Sequence, residues 1–149
     1  MEHSDLKVFL DTNILLDVLC KPDRPSAQAS RTIVQAIRSG YLEGVMTTQS
    51  IIDTTYILSK IEGFSIKDFG HEILKLMGFL NIRAIDRHDI RDAILHTTGD
   101  MEDDAQCALA DAEGCDIILT SDRKFLRRNY PSGMLFLHPD DFLKKIRGL

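Results

Sequence analysis

Cysteine is scarce in this 149-residue chain: Cys20, Cys107 and Cys115 are odd in number, stand among apolar residues and show no C-x-x-C spacing. A disulfide framework and a patterned zinc site are therefore both disfavoured, and a reducing setting fits. An excess of positive charge is also missing. With 18 Lys and Arg against 23 Asp and Glu the formal charge is −5, so nucleic acid is not held by overall charge, and any contact with it has to be local or metal-assisted. No apolar run approaches the roughly 18 residues that cross a bilayer. The opening Met1-Glu2-His3-Ser4-Asp5-Leu6-Lys7 is acidic where a secretory leader is basic. The expectation is a cytoplasmic protein with no membrane partner. Repeats, low-complexity tracts and Ser/Gly linkers are absent, and 44% hydrophobic with 28% charged residues suits one globular domain over residues 1–149.

Glutamate is the other shortage. Seventeen of the 23 carboxylates are Asp and six are Glu, although Glu is the better helix former. Short carboxylates are thus placed at caps or at a site. Asp86, Asp140 and Asp141 stand where helices should begin; the others need a different account.

What is present is an alternation of short apolar runs and helical patterns. Leu6 to Leu10 reads as a buried strand that delivers Asp11-Thr12-Asn13 at its carboxyl end. Ile14, Leu15, Val18 and Leu19 then recur at helical spacing until Lys21 to Pro25, and Ser26 is a candidate cap for a helix running to Gly40. Further strands are expected at Gly44 to Thr48, Leu80 to Ile85, Cys115 to Thr120 and Met134 to Leu137. Helices are expected at about Gln49 to Ile61, after the cap Ser65, and at Asp86 to His96, Asp100 to Glu113 and Pro139 to Arg147, with a short basic turn or helix at Asp122 to Arg128. Such alternation predicts an α/β fold with a parallel sheet of four to five strands between helical layers, and ligands bound beyond the strands' carboxyl ends.

That topology places Asp11, Asp53 and Asp122 at one edge of the sheet. Asp100, Asp103 and Asp104 lie at the start of the helix entering the Ile117 to Thr120 strand, where a helix N-terminus favours carboxylates. Carboxylates so grouped repel unless a cation lies between them. Oxygen-only donors without His or Cys suit Mg²⁺ or Mn²⁺ better than zinc. The reaction implied is phosphodiester hydrolysis by metal-activated water.

The segment Phe9-Leu10-Asp11-Thr12-Asn13-Ile14-Leu15-Leu16-Asp17 resembles the opening signature of PIN-domain ribonucleases, including the toxins of VapBC-type toxin–antitoxin pairs. Asp100-Met101-Glu102-Asp103 and Ile118-Leu119-Thr120-Ser121-Asp122-Arg123-Lys124-Phe125 resemble that family's third and fourth motifs, in order, and the likeness spans roughly residues 6 to 142. The resemblance implies a three-layer α/β/α fold and an endoribonuclease using Mg²⁺ or Mn²⁺. It makes Asp11, Asp103 and Asp122 metal-holding residues, with Asp100 auxiliary and Asn13 holding the first loop. For a toxin it implies a small antitoxin protein and a homodimer.

The chain departs from the small-toxin pattern at Asp53, where Glu is usual, so Asp53 fits a direct or a water-mediated role and the number of metal ions stays open. Asp103 is favoured over Asp104, because counting back from Gly114 and Asp122 without a gap selects it and Asp104 falls beside Asp111 on a face expected to be solvated. Thr12, Thr120 and Ser121 are candidates to orient carboxylates or bind phosphate. Arg123, Lys124, Arg127 and Arg128, followed by Asn129-Tyr130, are candidates to hold RNA, and Lys21 and Arg24 to extend that rim. The histidines His3, His71, His88, His96 and His138 show no nucleophile partner. The rival readings are a non-catalytic PIN-like module that binds RNA or protein, and a phosphoaccepting signalling domain, for which Asp5 lies too far from Asp11.

Overall fold

The computed structural model describes residues 5–128 and 133–147; His3, Asn129 and Tyr130 lie outside them. In β1 (Lys7–Leu10), Val8 and Leu10 enter one apolar cluster and Phe9 enters another, all essentially inaccessible to solvent. This is the pattern of a central strand covered on both faces. β4 (Ile117–Leu119) repeats it, with Ile117 and Leu119 on the first side and Ile118 on the second. With β2 (Glu43–Thr47), β3 (Asn81–Arg83) and β5 (Leu135–Leu137) they form a five-stranded sheet in the order β3-β2-β1-β4-β5, every neighbouring pair parallel.

One face is covered by α1 (Thr12–Leu19), α2 (Ala27–Arg38) and α8 (Pro139–Arg147), through Ile14, Leu15, Ile33, Ile37 and Phe142. The other is covered by α6 (Met101–Ala112), through Cys107, Leu109 and Ala110, with α5 (Arg87–Leu95) packed on α6. α3 (Thr48–Tyr56) follows β2, and α4 (Ile66–Met77) closes on α1 in a third cluster of Leu16, Cys20, Leu58, Phe69 and Ile73. The α/β/α layering expected from the sequence is therefore the one found. The three cysteines are free and buried, and among the described residues no helix is long and apolar enough to cross a membrane.

Local departures have local causes. The strand expected over Leu80 to Ile85 shortens to Asn81–Arg83 because it lies at the sheet edge, where polar residues are tolerated. The helix expected to run to Ile61 stops at Tyr56 and continues as a π-helical turn, Ile57–Ile61. Thr54, Thr55 and Ser59 donate their hydroxyls to the carbonyls of Ser50, Ile52 and Thr55 at 2.6–2.7 Å, competing with the helical ladder there. Ser65 and Asp86 cap α4 and α5 as expected. Ser26 precedes α2 but makes no side-chain cap; its Oγ lies 3.1 Å from His138 Nε2, while His138 Nδ1 accepts from the Asp140 amide. That amide bond leaves Nε2 as the protonated nitrogen, so the pair ties α2 to α8 and is not poised to activate the serine. Arg24 also leaves the expected rim: its Nε pairs at 2.9 Å with Asp17, a fully buried carboxylate that also accepts from Ser30 Oγ.

Gly44 on β2 marks a close approach. A Cβ there would stand 2.7 Å from Ile37 Cδ1 and 2.9 Å from Leu80 Cδ2. Gly44→Ala is expected to cost about 1–2 kcal/mol in urea unfolding, as overpacking does; an unchanged midpoint would mean that both side chains yield without loss.

Candidate active site

β1 and β4 are neighbours, yet α1 leaves β1 on one face of the sheet and α6 enters β4 from the other. A crevice opens at the carboxyl ends of two strands so arranged. A cleft of about 510 Å³ lies there, and six carboxylates line it: Asp11 after β1, Asp53 on α3, Asp100, Glu102 and Asp103 at the start of α6, and Asp122 after β4. Thr12, Asn13 and Tyr56 share the lining. Of the carboxylates grouped from the sequence, Asp11, Asp53, Asp100, Asp103 and Asp122 line this one cleft and Asp104 does not.

Asp11 is the most constrained of them. Its Oδ1 accepts from the Thr12 amide at 2.8 Å, and its Oδ2 accepts from Asn13 Nδ2 at 2.8 Å and Thr120 Oγ1 at 2.7 Å. Asn13 Oδ1 accepts from the Ser121 amide, and Thr120 Oγ1 from the Asp122 amide, so the ends of β1 and β4 are laced through one buried carboxylate. Thr120 therefore orients Asp11, whereas Ser121 contributes its backbone. Thr12 Oγ1 donates to Ser50 Oγ at 2.9 Å, which joins the starts of α1 and α3. Burial pushes the Asp11 carboxyl above its ordinary range; hydrogen bonds from Thr120, Thr12 and Asn13 oppose the rise and the charge of Asp122 adds to it.

Asp100 caps α6 by accepting from the Asp103 amide, and Asp122 caps the short α7 (Arg123–Leu126) by accepting from the Lys124 amide. Asp103 is raised to about 6, chiefly by burial and then by Asp100; Arg128 pulls it down, and Asp11 and Asp122 push it up. Asp53 accepts from Gln49 Nε2 at 2.9 Å, and the nearby Glu102 carboxyl is raised by burial and by the charges of Asp53, Asp100 and Asp11.

Glu102 was not singled out from the sequence. The available signal was its position in the first turn of α6, one residue before Asp103, where a side chain projects past the helix end. Asp104 is a correction: it is not on a solvated face beside Asp111 but buried, 6% exposed, accepting from Thr97 Oγ1, Thr98 N and Thr98 Oγ1 and paired with Arg128. The turn before α6 folds over it, which helical spacing alone does not reveal. Arg123, Lys124 and Arg127 are exposed, while Arg128 turns inward, and Lys21 lines a different cavity.

The donor set suits a hard cation. It is oxygen-only, and the raised carboxyls are raised in part by one another, a cost that a positive charge in the cleft would relieve. Among the described residues no three acidic, histidine or cysteine groups converge tightly enough to cage an ion. This geometry fits an ion such as Mg²⁺, which keeps several waters and takes one or two carboxylates.

The PIN domain family model matches residues 7–124. Over 124 residues the chain is 27% identical to Ribonuclease VapC1 of Aquifex aeolicus (strain VF5), covering 80% of this chain and 83% of that protein. Among solved structures, the VapC20 toxin of Mycobacterium tuberculosis, described as sarcin-ricin loop cleaving, superposes with a TM-score of 0.62 at 12% identity, covering 79% of this chain and 92% of that one. A toxin–antitoxin complex from Klebsiella pneumoniae gives 0.61 at 16% identity, covering 89% and 97%. The matched segment contains β1 to β4, the switch between β1 and β4 and all six cleft carboxylates, and the chain belongs to the PIN domain family.

Proposed function

We propose that this protein is an endoribonuclease that hydrolyses RNA phosphodiester bonds with Mg²⁺ or Mn²⁺, and that it is the toxin of a toxin–antitoxin pair. The observation that carries the reading is the meeting of Asp11, Asp103 and Asp122, from three separate elements, in one open acidic cleft. The likeness to Ribonuclease VapC1 supports RNA as substrate, and the likeness to a toxin–antitoxin complex supports a small antitoxin protein as partner. A homodimer is the proposed assembly.

One or two of Asp11, Asp103 and Asp122 would hold the ion directly and the rest through its waters, with Asp53, Asp100 and Glu102 lining the same space. When bound, such an ion polarises water for attack on phosphorus and neutralises charge on the phosphate. The chain's own part is positioning. Asp11 is locked by its three donors and so presents a fixed oxygen pair, which saves reorganisation during reaction. Asp100 accepts from the Asp103 amide at the first turn of α6, and so sets where Asp103 enters the cleft. Arg123 and Lys124, exposed beside Asp122, are placed to receive the RNA backbone. A phosphoaccepting domain fits less well, since Asp5 does not line the cleft.

The test is cleavage of a mixed set of labelled RNAs with Mg²⁺, Mn²⁺ or excess EDTA. Cutting with either ion and none in EDTA is expected; neither cutting nor Mn²⁺ binding would move the chain to the non-catalytic binding module. The double variant Arg123→Ala/Lys124→Ala is expected to weaken RNA binding about tenfold and to reduce the slope of log K against log salt by roughly 1–2, about 0.7 per single-strand phosphate contact. An unchanged slope would place the RNA elsewhere.

A further inference from the structure

The basic run after Asp122 is not one surface. The Arg128 side chain is 14% exposed, and its guanidinium lies between two neighbouring carboxylates of α6: Nη2 is 3.6 Å from Asp103 Oδ2, and Nη1 donates to Asp104 Oδ1. It also lies over the Phe125 ring, 5.7 Å from the centroid. Asp104 is anchored in turn by Thr97 Oγ1 at 3.1 Å, Thr98 N at 2.9 Å and Thr98 Oγ1 at 2.8 Å. A continuous chain of contacts thus runs from the Thr97–Thr98 turn through Asp104 and Arg128 to the cleft carboxylate Asp103. Consecutive helical residues point about 100° apart, so bridging both carboxylates takes a rigid planar fork, which Arg has and Lys lacks.

We infer that Arg128 is a positioning residue: clamped by Asp104 and Phe125, it fixes the Asp103 carboxylate at the cleft wall, so that cation binding there depends on a group outside the cleft lining. The inference rests on the metal-binding part of the proposed function. It has a diagnostic sign. Arg128 is a positive charge beside a cation site, and on charge alone its removal should tighten cation binding. If it acts by fixing Asp103, removal should weaken binding, as loss of an outer partner of a metal-holding side chain does.

Mn²⁺ affinity is measured by titration calorimetry on the full chain for the wild type, Arg128→Gln and Arg128→Lys, with thermal melts confirming that each is folded. About tenfold weaker binding is expected for Arg128→Gln, and a loss of similar size for Arg128→Lys despite the retained charge. Unchanged or tighter binding in folded Arg128→Gln overturns the inference and leaves the proposed function standing. If Arg128→Gln does not fold, Arg128→Lys decides by the same criterion: weaker binding supports the inference and wild-type affinity overturns it. A wild type that binds no Mn²⁺ removes the metal-dependent reading and this inference with it.

Discussion

Asp103→Asn is expected to lose RNA cleavage by at least about a hundredfold, beyond the ten- to hundredfold typical of outer-shell losses, while the metal-free protein becomes harder to unfold at pH 7.5. The Asp103 carboxyl is raised to about 6 from 3.8 by burial, Asp100, Asp11 and Asp122, against the pull of Arg128. The folded state therefore binds this proton more tightly than the unfolded chain. Its contribution to stability is complete below the unfolded value and is lost as pH rises through about 6. At pH 7.5 the wild type carries an ionised carboxylate that the fold resists and the variant carries a neutral amide, a difference of order 1–3 kcal/mol in favour of the variant. Urea unfolding at pH 7.5 and near pH 4 checks it: the gain should shrink at the lower pH, where the wild-type carboxyl is protonated. Excess Mn²⁺ should stabilise the wild type more than the variant. A variant less stable at pH 7.5 would show that the ion pair with Arg128 outweighs the repulsion around it.

Asp104→Ala is expected to do the reverse, costing about 3 kcal/mol or more. Asp104 is buried, and removing its carboxylate strands the Arg128 guanidinium and leaves Thr97 and Thr98 without their acceptor. Burial opposes its ionised form, but the donors from Thr98, Arg128 and Thr97 outweigh burial and hold the carboxyl below the usual range. Its stabilising effect is therefore present above the unfolded value and lost as pH falls through the folded one. The gap between wild type and Asp104→Ala in urea midpoint should be widest near neutrality and narrow at about pH 3. A gap under about 1 kcal/mol at pH 7.5 would mean that the turn before α6 finds other partners. Two adjacent aspartates thus carry opposite pH signs, one serving the cleft and the other the fold.

The positions of Asp11 and Asp122 were legible because a buried strand ending in a polar residue has little freedom: the sheet fixes the strand's end, and the side chain emerges there. Ser65 and Asp86 were legible because capping is local. Asp104 was not, because its surroundings are set by the Thr97–Thr98 turn and by Arg128, 24 residues further along the chain. Spacing along α6 gives the angle between Asp103 and Asp104 but not what covers either. Arg24, Arg128 and Ser26 share this difficulty. Each reads as a surface cation or a cap, and each instead meets a partner fixed by tertiary packing: Asp17, Asp104 and His138. Glu102 was overlooked for a simpler reason, since a scarcity of Glu directs attention to Asp.

The lacing of Asp11 to Thr120 and Asn13 has a consequence for misfolding. The Asp11 amide donates to the Leu119 carbonyl and its carboxylate accepts from Thr120, so these bonds exist in only one pairing of β1 with β4. A slip of one residue would exchange Phe9 with Val8 and Leu10 between the two faces of the sheet and would also pull Asp11 out of reach of its donors. Threading the central strand correctly and setting the Asp11 carboxylate in the cleft are therefore a single event, and a chain that mispairs that strand loses the cleft's geometry by the same error.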